Sequence, residues 1–372
     1  KVHPSIHEVR KVYCEVQIKA VDIEKGMYLL KNKQLFSDLS KFDIEFNITE
    51  NGEIISQGRL PRDMFENLEP LSEMEFTFNY NFDELPKGET IITFSYVRRE
   101  DCRFAKAGFE HGFDQFIIKA EDEKQAQQYE ENVEIIGTEK DFTVEGEGFK
   151  YAFKNGMLVS INKDGKEYLL GGMKPNYYRA LTDNDIDFFN FFPPLIPVHP
   201  LYAWKLATDN AKAKNIMVHR YSHSAYVETT LAVTGMKDVK ICYTVYPDGK
   251  IDFSHEGTAG MDMLRFGATL TMEREYEFVK WYGRGPYENY IDRRTGSRIA
   301  MHEMNVTDME HHYMRPQENG HRTDVRMMEI TNAQGEGLRF TKKGEIPFAI
   351  NCHHYTVNDL DNATHIHSLK HK

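Results

Sequence analysis

Over roughly the first 120 residues, apolar and polar positions alternate with period two, the pattern of strands with one face in a core and one in water. Phe42, Ile44, Phe46 and Ile48 share a face and run into Glu50-Asn51-Gly52, a hairpin turn signal. Met74, Phe76, Phe78, Tyr80 and Phe82 make a second row, and Ile92, Phe94 and Tyr96, after Pro86-Lys87-Gly88, make a third. Roughly six to eight strands at this spacing predict an immunoglobulin-like β-sandwich over residues 1–120. The next stretch, 121–131, is polar and acidic, has little to bury and reads as a linker between halves that unfold separately. Strands resume at Val133. Leu158, Val159 and Ile161, then Asp164-Gly165 and Tyr168-Leu169-Leu170, read as a hairpin. Val227–Val233 and Val239–Tyr246 read as a strand pair, with Pro247-Asp248-Gly249 as the next turn. No long stripe of period 3.6 interrupts this pattern, so residues 132–372 are expected to form a large antiparallel sandwich and the chain is all-β.

Composition narrows the partners. Hydrophobic residues are 40%, charged residues 28% and aromatics 12% of the 372, an ordinary globular balance with extra rings that suit strands. The net charge of −12 argues against nucleic acid or an anionic membrane surface, because a phosphate backbone needs a basic footprint. No run of eighteen apolar residues is present to span a bilayer. Cys14, Cys102, Cys242 and Cys352 form no CxxC pair and read as free thiols.

Three charged strings carry the candidate chemistry. The first is Arg179-Ala180-Leu181-Thr182-Asp183-Asn184-Asp185, followed by Trp204. Its acids lack the alternate ligands, Gly and distal Glu of an EF-hand, so an Asx-rich turn is the plainer reading. The second runs from Trp281 to Arg294 and holds Gly283, Gly285 and Pro286, which suit a turn off a strand. There Glu288, Asp292, Arg293 and Arg294 either contact sugar hydroxyls or pair with one another. The third is Arg315-Pro316-Gln317-Glu318-Asn319-Gly320. Glu288 and Glu318 would serve as a retaining glycosidase pair only if about 5–5.5 Å apart. The alternative is loop ordering, with Glu318 or Asn319 accepting backbone N–H bonds. Phe188, Phe189, Phe191 and Phe192 are too dense for a solvated loop and read as a contact surface, core packing or a sugar-stacking wall. His365-Ile366-His367 would place two imidazoles on one strand face, a pair with no evident third metal ligand.

In this order and spacing, the three strings resemble the C-terminal part of the large β-galactosidases of glycoside hydrolase family two. His3-Pro4 and Glu8-Val9-Arg10-Lys11 resemble the junction at which that family's barrel ends, so the likeness covers essentially the whole chain. The resemblance implies an immunoglobulin-like domain followed by a β-supersandwich, the small-chain domain. It places both catalytic carboxylates on a preceding barrel that is not recognisable in this sequence. The chain is then a non-catalytic portion, inactive alone, of an enzyme that hydrolyses terminal β-D-galactosides with retention. No catalytic or metal-binding residue is expected here, and the parent's Mg²⁺ would be bound elsewhere. Arg179, Asp183, Asn184, Asp185, Glu288, Asn289, Asp292, Arg293, Glu318 and Asn319 become candidates for the active-site rim or for ordering its loops. The expected partners are the catalytic barrel and N-terminal domains, a β-galactoside through the parent, and further copies in a homo-oligomer. The expected compartment is the cytoplasm, with the periplasm as the other option. The sequence departs from the family at Ile186–Leu195, where the Phe run replaces a more polar stretch. The family's Gly-Gly-x-x-Ser-Trp stretch, whose Trp lines the aglycone side, is not found up to Lys372, which reads as a truncated end. A stand-alone carbohydrate-binding or assembly module is the rival reading.

Overall fold

The computed structural model describes residues 2–80, 86–121, 127–186 and 200–369. The first row of alternating residues becomes the strand Phe42–Glu50, which turns through Asn51 and Gly52 into Glu53–Arg59. Both turn residues have positive φ, 48° and 89°, as a two-residue turn matching the strand twist requires. The third row is the strand Thr90–Arg98, whose Ile92, Phe94 and Tyr96 are buried. Together with Glu110–Lys119 these make a four-stranded antiparallel sheet. Val16–Asp22, Met27–Asn32 and Glu73–Thr77 make a three-stranded one. Ile18, Tyr28 and Leu30 from the smaller sheet meet Ile44, Ile92 and Phe94 from the larger in one core. Each fully buried large side chain stabilises the sandwich by roughly 2 kcal/mol. From the second row, Phe76 is buried and Met74, Phe78 and Tyr80 pack beside it, while Phe82 lies outside the described residues.

The strands from Glu134 onward pair only among themselves. Glu134–Gly137, Asp141–Gly146, Phe149–Lys154, Met157–Lys163 and the two-residue Lys166–Glu167 follow one another in a meander. Asp164-Gly165 is the expected turn, but the returning strand stops at Glu167, short of Tyr168-Leu169-Leu170. Lys212–Tyr221, Ser224–Ala232, Met236–Val245 and Ile251–Ala259 form the facing sheet. Val144, Tyr151 and Phe153 pack against Val227, Ile241 and Tyr243 between the two. A further sheet is ordered Arg298–Asn305, Phe278–Gly285, Met327–Thr331, Gly337–Thr341. Trp281 lies wholly inside its core with Val279, Val325 and Met328.

Polar contacts join the first sandwich to this last sheet. Tyr282 donates its hydroxyl to buried Glu89 at 2.7 Å, and Arg326 reaches both Glu89 oxygens at 2.9 and 3.1 Å. Gln115 bonds the backbone N–H and C=O of Ile299 at 2.8 and 2.9 Å. Arg298 grips both oxygens of Glu110. The end of the acidic stretch is also tied down. Tyr129 stacks on Tyr246 and donates to Asp248 at 3.1 Å.

Candidate functional site

The second and third strings lie against each other, and the first reaches them. Phe278–Gly285 is one continuous strand, so Gly283 and Gly285 sit within it and the chain turns only after Pro286. The glycines are there for clearance. A Cβ on Gly283 would stand 2.8 Å from the Val325 Cα, and one on Gly285 would stand 2.8 Å from the Trp281 and His302 rings. Beyond the strand, Asn289 is wholly buried and accepts from the Thr323 N–H at 2.9 Å and hydroxyl at 2.6 Å. Its own N–H meets the His321 carbonyl at 2.8 Å, which fastens the second string to the residues just after the third.

Glu288 lies at the centre with its side chain 2% exposed. It accepts from Arg293 at 2.6 Å, the Tyr313 hydroxyl at 2.5 Å and the Gly320 N–H at 2.8 Å. Burial pushes its carboxyl up, but the bonds from Tyr313, Arg293 and Gly320 outweigh burial and hold it below the ordinary carboxylate range. Glu318 is as deeply placed and has a separate cation, Arg265, at 2.6 Å, with the Asn351 amide at 2.9 Å. Asn319, not Glu318, accepts the backbone N–H of the loop, that of His311 at 3.1 Å. Each carboxylate is thus paired with its own arginine inside the fold, and the bonds to Glu288 favour its ionised form.

The first string joins through Asp183. The Asp183 N–H donates to the Gln317 side chain at 3.1 Å, and the Gln317 amide donates back to the Asp183 carboxylate at 3.0 Å. Asp185 is held by Arg179 at 2.6 and 3.2 Å and accepts the Thr182 N–H at 2.7 Å. Burial would raise Asp185, and the bonds from Arg179 and Thr182 lower it past that. The expected Asx turn is a one-turn helix, Asp183–Ile186, closed by these bonds. Asn184 and Asp292 are exposed and stand outside the network. Phe188, Phe189, Phe191 and Phe192 lie outside the described residues. His365 and His367 stack on a single 3-10 turn rather than along a strand, because Ile366–Ser368 folds back on His365.

Arg265, Tyr313, Asn351 and Arg322 complete the site, and none of them belongs to the three strings. Arg322 is buried and donates to the carbonyls of Pro286 and Gly320 at 2.9 Å each, clamping the second string to the third. Burial lowers its pKa to about 10. The available signal was a polar side chain inside an apolar run, as in Met263-Leu264-Arg265-Phe266 and Ala349-Ile350-Asn351-Cys352.

An all-β chain of stacked sandwiches, with a cluster of interlocked charged loops on the second, is the class that fold and site define. The profile of the β-galactosidase small chain matches residues 145–372, and that of β-galactosidase domain 4 matches residues 28–119. The chain belongs to the β-galactosidase small-chain family. It is 31% identical to a β-galactosidase of Priestia megaterium, over 98% of this chain and 35% of that protein. It is 28% identical to one of Halalkalibacterium halodurans, over 99% and 36%. A β-galactosidase of Clostridium acetobutylicum is 29% identical over 81% and 33%. The chain therefore spans about a third of the length of the curated relatives it matches.

Proposed function

We propose that this chain is the non-catalytic C-terminal portion of a β-galactosidase that hydrolyses terminal β-D-galactosides with retention. The observation that carries this reading is the closed state of Glu288 and Glu318. A retaining glycosidase needs one carboxyl poised to give a proton and another free to attack. Here both are committed to arginines and hold loops. In this reading a barrel elsewhere in the parent does the chemistry. Arg179, Asp183, Glu288, Asn289, Glu318 and Asn319 keep the loops at its mouth in one shape. Apolar surface beside the cluster supports a docked body, with Ile291 83% and Met314 92% exposed. The helix Ser5–Val12 likewise leaves Ile6 and Val9 exposed.

The partners in this reading are the barrel and N-terminal domains, the galactoside bound by the parent, and further copies of the parent. In this reading the parent's Mg²⁺ is bound elsewhere, and among the described residues no group of three or more His, Cys, Asp or Glu side chains is placed to hold an ion. No described helix is long and apolar enough to cross a membrane. The free thiols suit a cytoplasmic parent. The test is turnover of nitrophenyl β-galactoside by this chain alone, with and without Mg²⁺. We expect none. Turnover that disappears in Glu318→Gln would overturn the reading and make Glu318 a catalytic group.

A further inference from the structure

Four arginines meet at one end of the four-stranded sheet of the first sandwich, on elements that take no part in the charged loop cluster. Arg59, Arg62, Arg98 and Arg99 line an open cavity of about 380 Å³, with Asp43 and Glu100 as its lining carboxylates. Asp43 is buried and serves as the template. Arg62 grips it through Nε at 2.8 Å and Nη2 at 3.3 Å. Arg59 and Arg99 face the same carboxylate at 3.5 and 3.8 Å. One carboxylate needs one guanidinium and here receives three. Arg59 is also bound to Glu45 at 2.8 Å, and Arg99 spends one N–H on the Ser40 carbonyl at 2.9 Å. Arg98 gives Nε to the Glu100 carbonyl at 3.1 Å and lies over the Phe104 ring. It has no carboxylate partner among the described residues.

The chain carries a net charge of −12, yet four guanidinium groups gather here around the carboxylates of Asp43, Glu45 and Glu100, with Glu66 also acting on Arg62. Like charges held this close repel, and a further anion would relieve that repulsion. Each guanidinium has five N–H donors in a planar fork, and among the described residues Arg98 gives a hydrogen bond only to the Glu100 carbonyl and Arg99 only to that of Ser40. That fork matches two oxygens of one oxyanion.

We propose that this cavity binds a small, multiply charged oxyanion of the phosphate or polycarboxylate kind. Arg98 and Arg99 hold it, while Arg62 on Asp43 fixes the floor. The test is a titration of the 372-residue chain at low ionic strength, following the arginine Nε–Hε signals by NMR and the heat by calorimetry. Inorganic phosphate and citrate are added in separate arms, with chloride at matched ionic strength as control. Saturable shifts at Arg98 and Arg99 in either arm, absent with chloride, are expected. The responding arm tells a tetrahedral oxyanion from a polycarboxylate. Arg98→Gln removes no ion pair among the described residues and is expected to weaken binding by about tenfold, the worth of one charge-assisted contact. Glu100→Gln removes a lining negative charge and is expected to tighten it. No saturable response, an equal response to chloride, or an affinity unmoved by both substitutions would overturn the proposal.

Discussion

Arg265 and Glu318 stand 53 residues apart in sequence and 2.6 Å apart in the fold. The Glu318 side chain is 2% exposed, so the charge is removed from water and has Arg265 as its cation. Removing one member of such a pair leaves a buried charge unmatched, at a cost of about 3–5 kcal/mol. Arg265→Ala is therefore expected to lower the unfolding free energy measured in urea by that order, and the double change with Glu318→Gln to restore part of it, because a neutral amide needs no cation. A loss below about 1 kcal/mol in the single variant would show that the pair does not order this loop. At the same scale, the second string is only partly the self-paired turn that its charges suggest. Glu288 takes Arg293 from within the string, but Arg294 goes to Asp324 and Asp292 stays in water. Charges four or five residues apart can meet in a loop, but which of them do depends on neighbours that lie far along the chain.

The strand Phe278–Gly285 shows what an element adds. It is central in its sheet, between Arg298–Asn305 and Met327–Thr331, and carries Trp281 into the core. Its glycines mimic a turn in sequence, yet they lie within the strand because two neighbours approach too closely for a side chain. Gly283→Ala places a methyl 2.8 Å from a backbone Cα and is expected to cost about 1–3 kcal/mol in thermal or urea unfolding. Gly267 begins the strand Gly267–Thr271, where an added Cβ would meet nothing within 4 Å. Gly267→Ala should therefore stay within about 0.5 kcal/mol of the parent. Equal effects at the two positions would refute the clearance argument.

At the scale of the whole molecule, Glu89 ties the first sandwich to the second half. It is buried and accepts from Tyr282 and Arg326. A polar linker alone predicts two separate transitions, but this junction is expected to couple them. One calorimetric transition is expected for the chain, and Glu89→Ala is expected to destabilise it by about 3 kcal/mol, since Arg326 is left without its carboxylate partner. Two well-separated transitions in the unaltered protein would refute the coupling. Acid should act on the whole fold as well. Burial lowers His255 and His302 from 6.5 to about 4. The unfolded chain then takes up protons first, so this stability is complete above pH 6.5 and drains away as the pH falls toward about 4. Glu288 and Asp185, both held low, contribute above their unfolded pKa values and fail at still lower pH. A melting temperature that does not change between pH 6.5 and 4.5 would contradict this. Replacing His255 with Gln, which keeps a polar partner for Tyr177, should flatten the slope in that window.

The sequence by itself determined the strand whose alternation is strict, Phe42–Glu50, and the Asn51-Gly52 turn between paired strands. A strand's two faces and a turn's φ angles are local properties of the residues that form them, so they can be read without knowing the fold. It also set the order of the three charged strings, which resemble the family to which the chain belongs. Only the tertiary structure decided the partners within those strings. Arg265 found Glu318, Arg322 found the Pro286 and Gly320 carbonyls, and Gln317 found Asp183. The four-arginine corner around Asp43 likewise draws on three different stretches of chain. The physical reason is common to all of them. A buried charge must be matched by whatever the folded chain brings within hydrogen-bond reach, and that neighbour is set by how sheets stack, not by spacing along the sequence.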